Sequence, residues 1–134
     1  MRVFIELAYD GTNYHGWHRQ PEAITVQQAI EEAMEKLCGT SVPIIGCGRT
    51  DASVHASYYV AHANLPETSL KRFDSFDQMA FKLNGVLNSD VAIFSISKVG
   101  EKAHARFDAF KRSYTYWIHT EKDPFLDGKS ARVF

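Results

Sequence analysis

Between two apolar runs lies Gly46-Cys47-Gly48-Arg49-Thr50-Asp51-Ala52-Ser53-Val54-His55-Ala56, a short stretch carrying a guanidinium, a carboxylate and an imidazole. Its entry glycines permit tight turns and close approach by another backbone. Arg49 and Asp51 are two residues apart, so in an extended segment they share a side, where the guanidinium can hold the carboxylate ionised and oriented. The same spacing suits a solvated Arg–Asp pair that merely closes a loop. His55 has the titration range of a general base near neutral pH and equally suits a loop-stabilising role. His15 and His18 form an HxxH without a third ligand at matching spacing, which argues against a metal site. A metal-dependent hydrolase built on Asp10, Asp51 and His55 is weakened by the lack of a ligand cluster.

The chain that must position these groups has 134 residues, 45% of them apolar and 23% charged, the balance of one compact domain rather than of a disordered segment. It holds no apolar run approaching ~18 residues, and Arg2 interrupts the start before a signal-peptide core could form, so the expectation is a cytoplasmic protein with no membrane span. Cys38 and Cys47 form no CxxC and no disulfide framework, which fits a reducing compartment. The net charge of −1 hides an asymmetry: residues 1–64 hold four Lys or Arg against seven Asp or Glu, and residues 65–134 hold eleven against nine. Basic groups crowd around Lys98, Lys102, Arg106, Lys111 and Arg112, a candidate phosphate-facing edge or simply a solvated one.

Residues 3–9 are β-branched and aromatic and read as a strand that turns at Asp10-Gly11-Thr12-Asn13. The loop 14–21 has no period, and Trp17 in it is expected to tuck over the core. Thr25 and Gln28 form a capping box, with Ile24 as the outer half of a hydrophobic staple, ahead of a helix over about 25–38. Its buried stripe is Val26, Ala29, Ile30, Ala33, Met34 and Leu37, with Glu31, Glu32 and Glu35 solvated. Strands follow at 42–46 and 57–65, then a polar connection, a helix over about 74–87 that frays at Asn84-Gly85, and a strand at 91–99 with Val91 and Ile93 apolar, which Phe94 and Ile96 join by a bulge or face change. The order β-α-β-β-α-β predicts an α+β, ferredoxin-like antiparallel sheet with both helices on one face. Residues 112–119 alternate as an additional strand, leaving Tyr114 and Tyr116 on the bare face, and no closing element is expected before residue 134.

Gly48-Arg49-Thr50-Asp51-Ala52-Ser53-Val54-His55-Ala56 resembles the signature of the TruA-type tRNA pseudouridine synthases, Gly-Arg-Thr-Asp-Ala-Gly-Val-His, with Ser53 where the family has Gly. Tyr9-Asp10-Gly11-Thr12, Gly16-Trp17-His18-Arg19-Gln20, Ala105-Arg106-Phe107 and Tyr114-Thr115-Tyr116 agree with it in order, so the resemblance runs over about residues 4–118. It implies an enzyme that isomerises uridine to pseudouridine in the anticodon stem-loop of tRNA, without cofactor or metal. It implies Asp51 as nucleophile or base, Arg49 as its ion-pair partner, and Tyr114 stacking on the flipped base. Arg106 with Phe107 would fix the approach to Tyr114, and Arg106, Arg19 and Lys111 are the candidate RNA contacts. Such enzymes have two α/β halves and form homodimers; by that comparison residues 1–134 are the amino-terminal catalytic half, the carboxy-terminal half is absent, and the fragment alone is poorly active or inactive. The alternative is a non-catalytic module that binds single-stranded RNA by stacking, although it lacks the usual Arg/Lys-Gly-Phe strand signature and leaves the Arg-Thr-Asp loop unexplained.

Overall fold

The computed structural model describes residues 1–133. Strands β1 (Arg2–Tyr9), β2 (Ile44–Gly46), β3 (Ala56–Asn64) and β4 (Val91–Lys98) form one antiparallel sheet in the order β2-β3-β1-β4. Helices α1 (Val26–Cys38) and α3 (Phe76–Val86), with the single turn α2 (Glu67–Leu70), complete an α+β, ferredoxin-like arrangement. The core follows from the pleat: Val3, Ile5, Leu7 and Tyr9 on β1 join Ile30 and Met34 of α1 and Met79 and Leu83 of α3 in one buried cluster.

Local chemistry sets the ends of the helices. Thr25, itself buried, accepts from the Gln28 N–H at 3.3 Å to cap α1, and Gly39 at φ +74° ends it, its N–H donating to the Glu35 carbonyl. Only half of the expected box forms, because the Gln28 amide turns to Glu32 instead of returning to the cap. Ile24 is exposed, so there is no staple. Ser75 caps α3 through the Gln78 N–H.

The face change in β4 is a bulge. Glu6 pairs with Ser95 and the next residue, Leu7, with Ile93, so Phe94 is the extra residue and stands exposed, not grouped with Ile96 as expected, while Ile93 and Ile96 both reach the core. Asn84 lies within α3 rather than in a frayed end, and its amide donates to the Ile93 carbonyl and accepts from the Ile93 N–H. It joins helix to bulge. Glu31 is likewise not merely solvated, since it accepts from the Ile44 N–H at 2.9 Å and from Arg19 at 3.0 Å, anchoring β2 to α1.

Residues 112–119 do not join the sheet. Backbone pairing begins only at Ile118–His119 (β5), which runs parallel to Ala131–Arg132 (β6), a closing pair that the sequence pattern did not indicate. Alternation records two faces, but a strand also needs an edge to supply ladder partners. Tyr114 and Tyr116 consequently stand exposed outside the sheet. The sheet face away from the helices is crossed instead by residues 103–108, where Arg2 donates to the Ala103 carbonyl and His62 Nδ1 accepts from the Ala105 N–H at 2.9 Å. Among the described residues no helix is long and apolar enough to cross a membrane.

His62 is 2% exposed, and burial, reinforced by the charge of Arg2, pushes its pKa down to about 4. The unfolded chain takes this proton near pH 6.5 and the folded chain only near 4, so stability falls as pH drops through that window. Between pH 7 and 5 wild type should lose about 2 kcal/mol more unfolding free energy than His62→Asn, whose Oδ1 takes the place of the accepting Nδ1. Urea titrations at the two pH values check this; equal losses would show that His62 is not held neutral.

Candidate active site

The stretch from Cys47 to His55 rests on an aromatic floor. Tyr9 at the end of β1, Trp17 from the following loop and Tyr59 on β3 meet with centroid separations of 6.1 Å for Tyr9–Trp17, 5.7 Å for Tyr9–Tyr59 and 4.3 Å for Trp17–Tyr59. All three are nearly fully buried, so the two phenol hydroxyls must find partners, and both find the loop. Tyr9 and Thr50 share a hydrogen bond at 2.7 Å, while Tyr59 donates to the Gly48 carbonyl and sits 3.3 Å from the Gly48 N–H.

Backbone contacts complete the clamp. The Trp17 N–H donates to the Thr50 carbonyl and the Ser53 N–H to the Tyr14 carbonyl, each at 3.2 Å. Gly16 makes the approach possible: its φ is +81°, and a Cβ there would strike the Thr50 carbonyl. The Gly11 N–H donates to His55 Nδ1 at 2.9 Å. That contact ties His55 to the turn after β1, so the imidazole serves the loop. Asp10, 3.1 Å from the same nitrogen, is held below the usual carboxylate range mainly by the hydroxyl and N–H of Thr12.

Asp51 therefore lies between two fixed neighbours, Thr50 and Ser53, at the start of a turn closed by the Val54 N–H on its own carbonyl at 3.2 Å. Its exposed carboxylate has no hydrogen-bond partner among the described residues. Arg49 is exposed as well, and among the described residues no ion pair joins it to Asp51, where the sequence led one to expect a pair. Arg49 instead lines a recess of about 120 Å³ with Arg106, Trp17, His18 and the backbone at Gly46 and Gly48, and no carboxylate faces it.

The other expected site residues divide. Arg106 is placed by its neighbours: its N–H and that of Phe107 donate to His104 Nδ1, and the Phe107 ring stacks on His104 at 4.0 Å. Arg19 is engaged by Glu31 and half exposed, so its first task is structural. Lys111 is exposed without hydrogen bond or ion pair among the described residues. Tyr114 is exposed, yet near enough for its phenol to reinforce the upward push that burial gives Tyr9 and Tyr59. The structure thus brings the Asp51 loop, Arg49, Arg106 and Tyr114 to one region and leaves Arg19 on the α1 side. Sequence reasoning missed Tyr9, Thr50, Tyr59 and Arg112 as parts of the site. The available signal was two tyrosines at inward strand positions, each with a hydroxyl to satisfy.

A family model described as tRNA pseudouridine synthase matches residues 7–108. The chain is 48% identical over 124 residues to a tRNA pseudouridine synthase A of Parabacteroides distasonis, covering 92% of this chain and 48% of that protein. It is 43% identical over 133 residues to that of Porphyromonas gingivalis, covering 99% and 52%. Against that of Thermoanaerobacter sp. it is 39% identical over 120 residues, covering 90% and 47%. The chain spans about half the length of the curated relatives it matches.

Ser53 has φ +65°, the one non-glycine residue in the left-handed region among those described. Ser53→Gly should relieve that strain and raise unfolding free energy by roughly 0.5–1 kcal/mol, the steric gain outweighing the added freedom of the unfolded chain. A urea midpoint that rises at unchanged slope is the expected result, and a fall would show that the Ser53 side chain stabilises the turn.

Proposed function

Because this chain belongs to the tRNA pseudouridine synthase family, we propose that it is the amino-terminal catalytic half of an enzyme that isomerises uridine to pseudouridine in the anticodon stem-loop of tRNA. The observation that carries the reading is a rigidly clamped loop presenting one unpartnered carboxylate, Asp51, beside a recess lined by two guanidiniums.

The reaction breaks the C1′–N1 bond, turns the uracil while it stays bound and joins C5 to C1′, with no redox step and no net hydrolysis. It needs a positioned carboxylate, a flat surface for the flipped base and cationic groups for the deformed backbone. Asp51 is the nucleophile or base; its loop is ordered before substrate arrives, which removes reorganisation from the chemical step. Tyr114 stacks on the flipped base. Arg49 and Arg106, facing a recess without a competing carboxylate, take phosphate or the flipped region, and Lys111 adds an outer contact. Arg19 reaches RNA only by sharing its charge with Glu31.

The matched length supports a second α/β half that closes the cleft. Exposed apolar residues beyond Arg106, with Phe110, Tyr116 and Phe125 each more than four-fifths exposed, are surface for that half or for the partner subunit of a homodimer to cover. The two free cysteines fit a cytoplasmic enzyme.

Tritium release from uridine-labelled tRNA, read in a single turnover, tests the proposal. The two-half enzyme should be active and the 134-residue chain nearly inactive. Asp51→Asn in the two-half enzyme should lower the chemical rate by about 10³-fold or more, about 4 kcal/mol, while tRNA affinity changes little. Retention of a tenth of the wild-type rate would remove Asp51 from the chemistry, and full activity of the chain alone would overturn the half-enzyme reading.

A further inference from the structure

We propose that Arg112 is a positioning residue that sets Tyr114 and Arg106 against the Asp51 loop, an inference that rests on the Asp51 reading above. Its guanidinium donates from Nε at 3.0 Å and Nη2 at 2.7 Å to the Cys47 carbonyl, and from the same Nη2 at 3.0 Å to the Arg106 carbonyl. One side chain therefore joins three stretches: the start of the Asp51 loop, the Ala105-Arg106-Phe107 segment and the segment leading to Tyr114 two residues on.

The acceptor is itself anchored. The Cys47 N–H donates to the Val60 carbonyl of β3 at 2.9 Å, and Gly48 is held by the buried Tyr59 hydroxyl. Gly48 also leaves the guanidinium its place, since a Cβ there would lie 3.2 Å from Nε, tighter than ordinary packing allows. Residues 112–117 form no strand, so nothing in a backbone ladder fixes Tyr114, whose hydroxyl has no partner among the described residues. The fork of Arg112 is what that segment has in place of a ladder. Both acceptors are neutral carbonyls arranged for a planar fork, which the ammonium of lysine cannot reproduce. An exposed arginine in a basic stretch also suggests a phosphate contact, but its donors Nε and Nη2 already point inward.

Arg112→Lys and Arg112→Gln in the two-half enzyme separate these roles. Both should slow single-turnover pseudouridine formation by about 10- to 100-fold, because a displacement near 1 Å has that effect, while Kd for tRNA stays within about twofold and its salt dependence is unchanged. Backbone NMR order parameters over residues 113–117 should fall in both variants, with those of core β1 unchanged as the folding control. Weaker binding with a shallower salt slope and a normal saturated rate would make Arg112 a phosphate contact and overturn the proposal. So would a fully active Lys variant, which would show that charge and not the fork matters. Asp51→Asn run beside them keeps the two readings apart: an active Asn variant would sink the Asp51 assignment, whereas the order parameters of residues 113–117 report on Arg112 alone, and unchanged values in both variants would overturn the proposal.

Discussion

Two buried phenol hydroxyls hold the loop that carries the carboxylate. Tyr9 reaches Thr50 and Tyr59 reaches Gly48, with the Trp17 ring packed against both, so the apolar bodies of these side chains belong to the core while their polar tips end in the loop. An unpaired buried hydroxyl costs roughly 1–3 kcal/mol, and releasing the loop would orphan both at once. The loop's shape is thereby coupled to the packing of β1 on β3. A site residue need not be buried to be well placed if its chain neighbours are.

That coupling places Asp51 without a charged partner of its own. Its order comes from hydrogen bonds to Thr50 and Ser53 rather than from an ion pair, which leaves the carboxylate and the Arg49 guanidinium both available to a ligand. The cationic recess between Arg49 and Arg106 is built by bringing residues 49 and 106 together across the chain. A weakly negative chain can hold a local positive site this way.

The helices α1 and α3 and the four strands of the sheet were legible in the sequence because periodicity reports which side chains face the core, whereas the short α2 read as a polar connection and Phe94 was grouped with Ile96 although it stands exposed. Thr25 and Gly39 at the ends of α1 were legible for local reasons of the same kind. Periodicity says nothing about which polar group meets which. The Tyr9–Thr50 bond spans 41 residues and the Arg112–Cys47 fork 65, and both depend on the final register of elements distant in sequence. The same gap covers Arg49, whose spacing from Asp51 suggested a pair, whereas in the fold its guanidinium lines the recess with Arg106. It also explains residues 112–117, where alternation was present and a pairing edge was not. Ser53 was visible as a departure from a glycine position, but its positive φ belongs to the folded turn.

The central claim is that the Asp51 loop is fixed before any ligand binds, by the floor beneath it. Native-state hydrogen exchange at the Ser53 and Trp17 amides tests this most directly, because Ser53 is exposed and its N–H is shielded only by the bond to the Tyr14 carbonyl. The account predicts that both amides exchange far more slowly than those of residues 113–116 and lose that protection together in Tyr9→Phe. Exchange at Ser53 as fast as in residues 113–116 would show that the loop opens freely and that its order must come from the ligand.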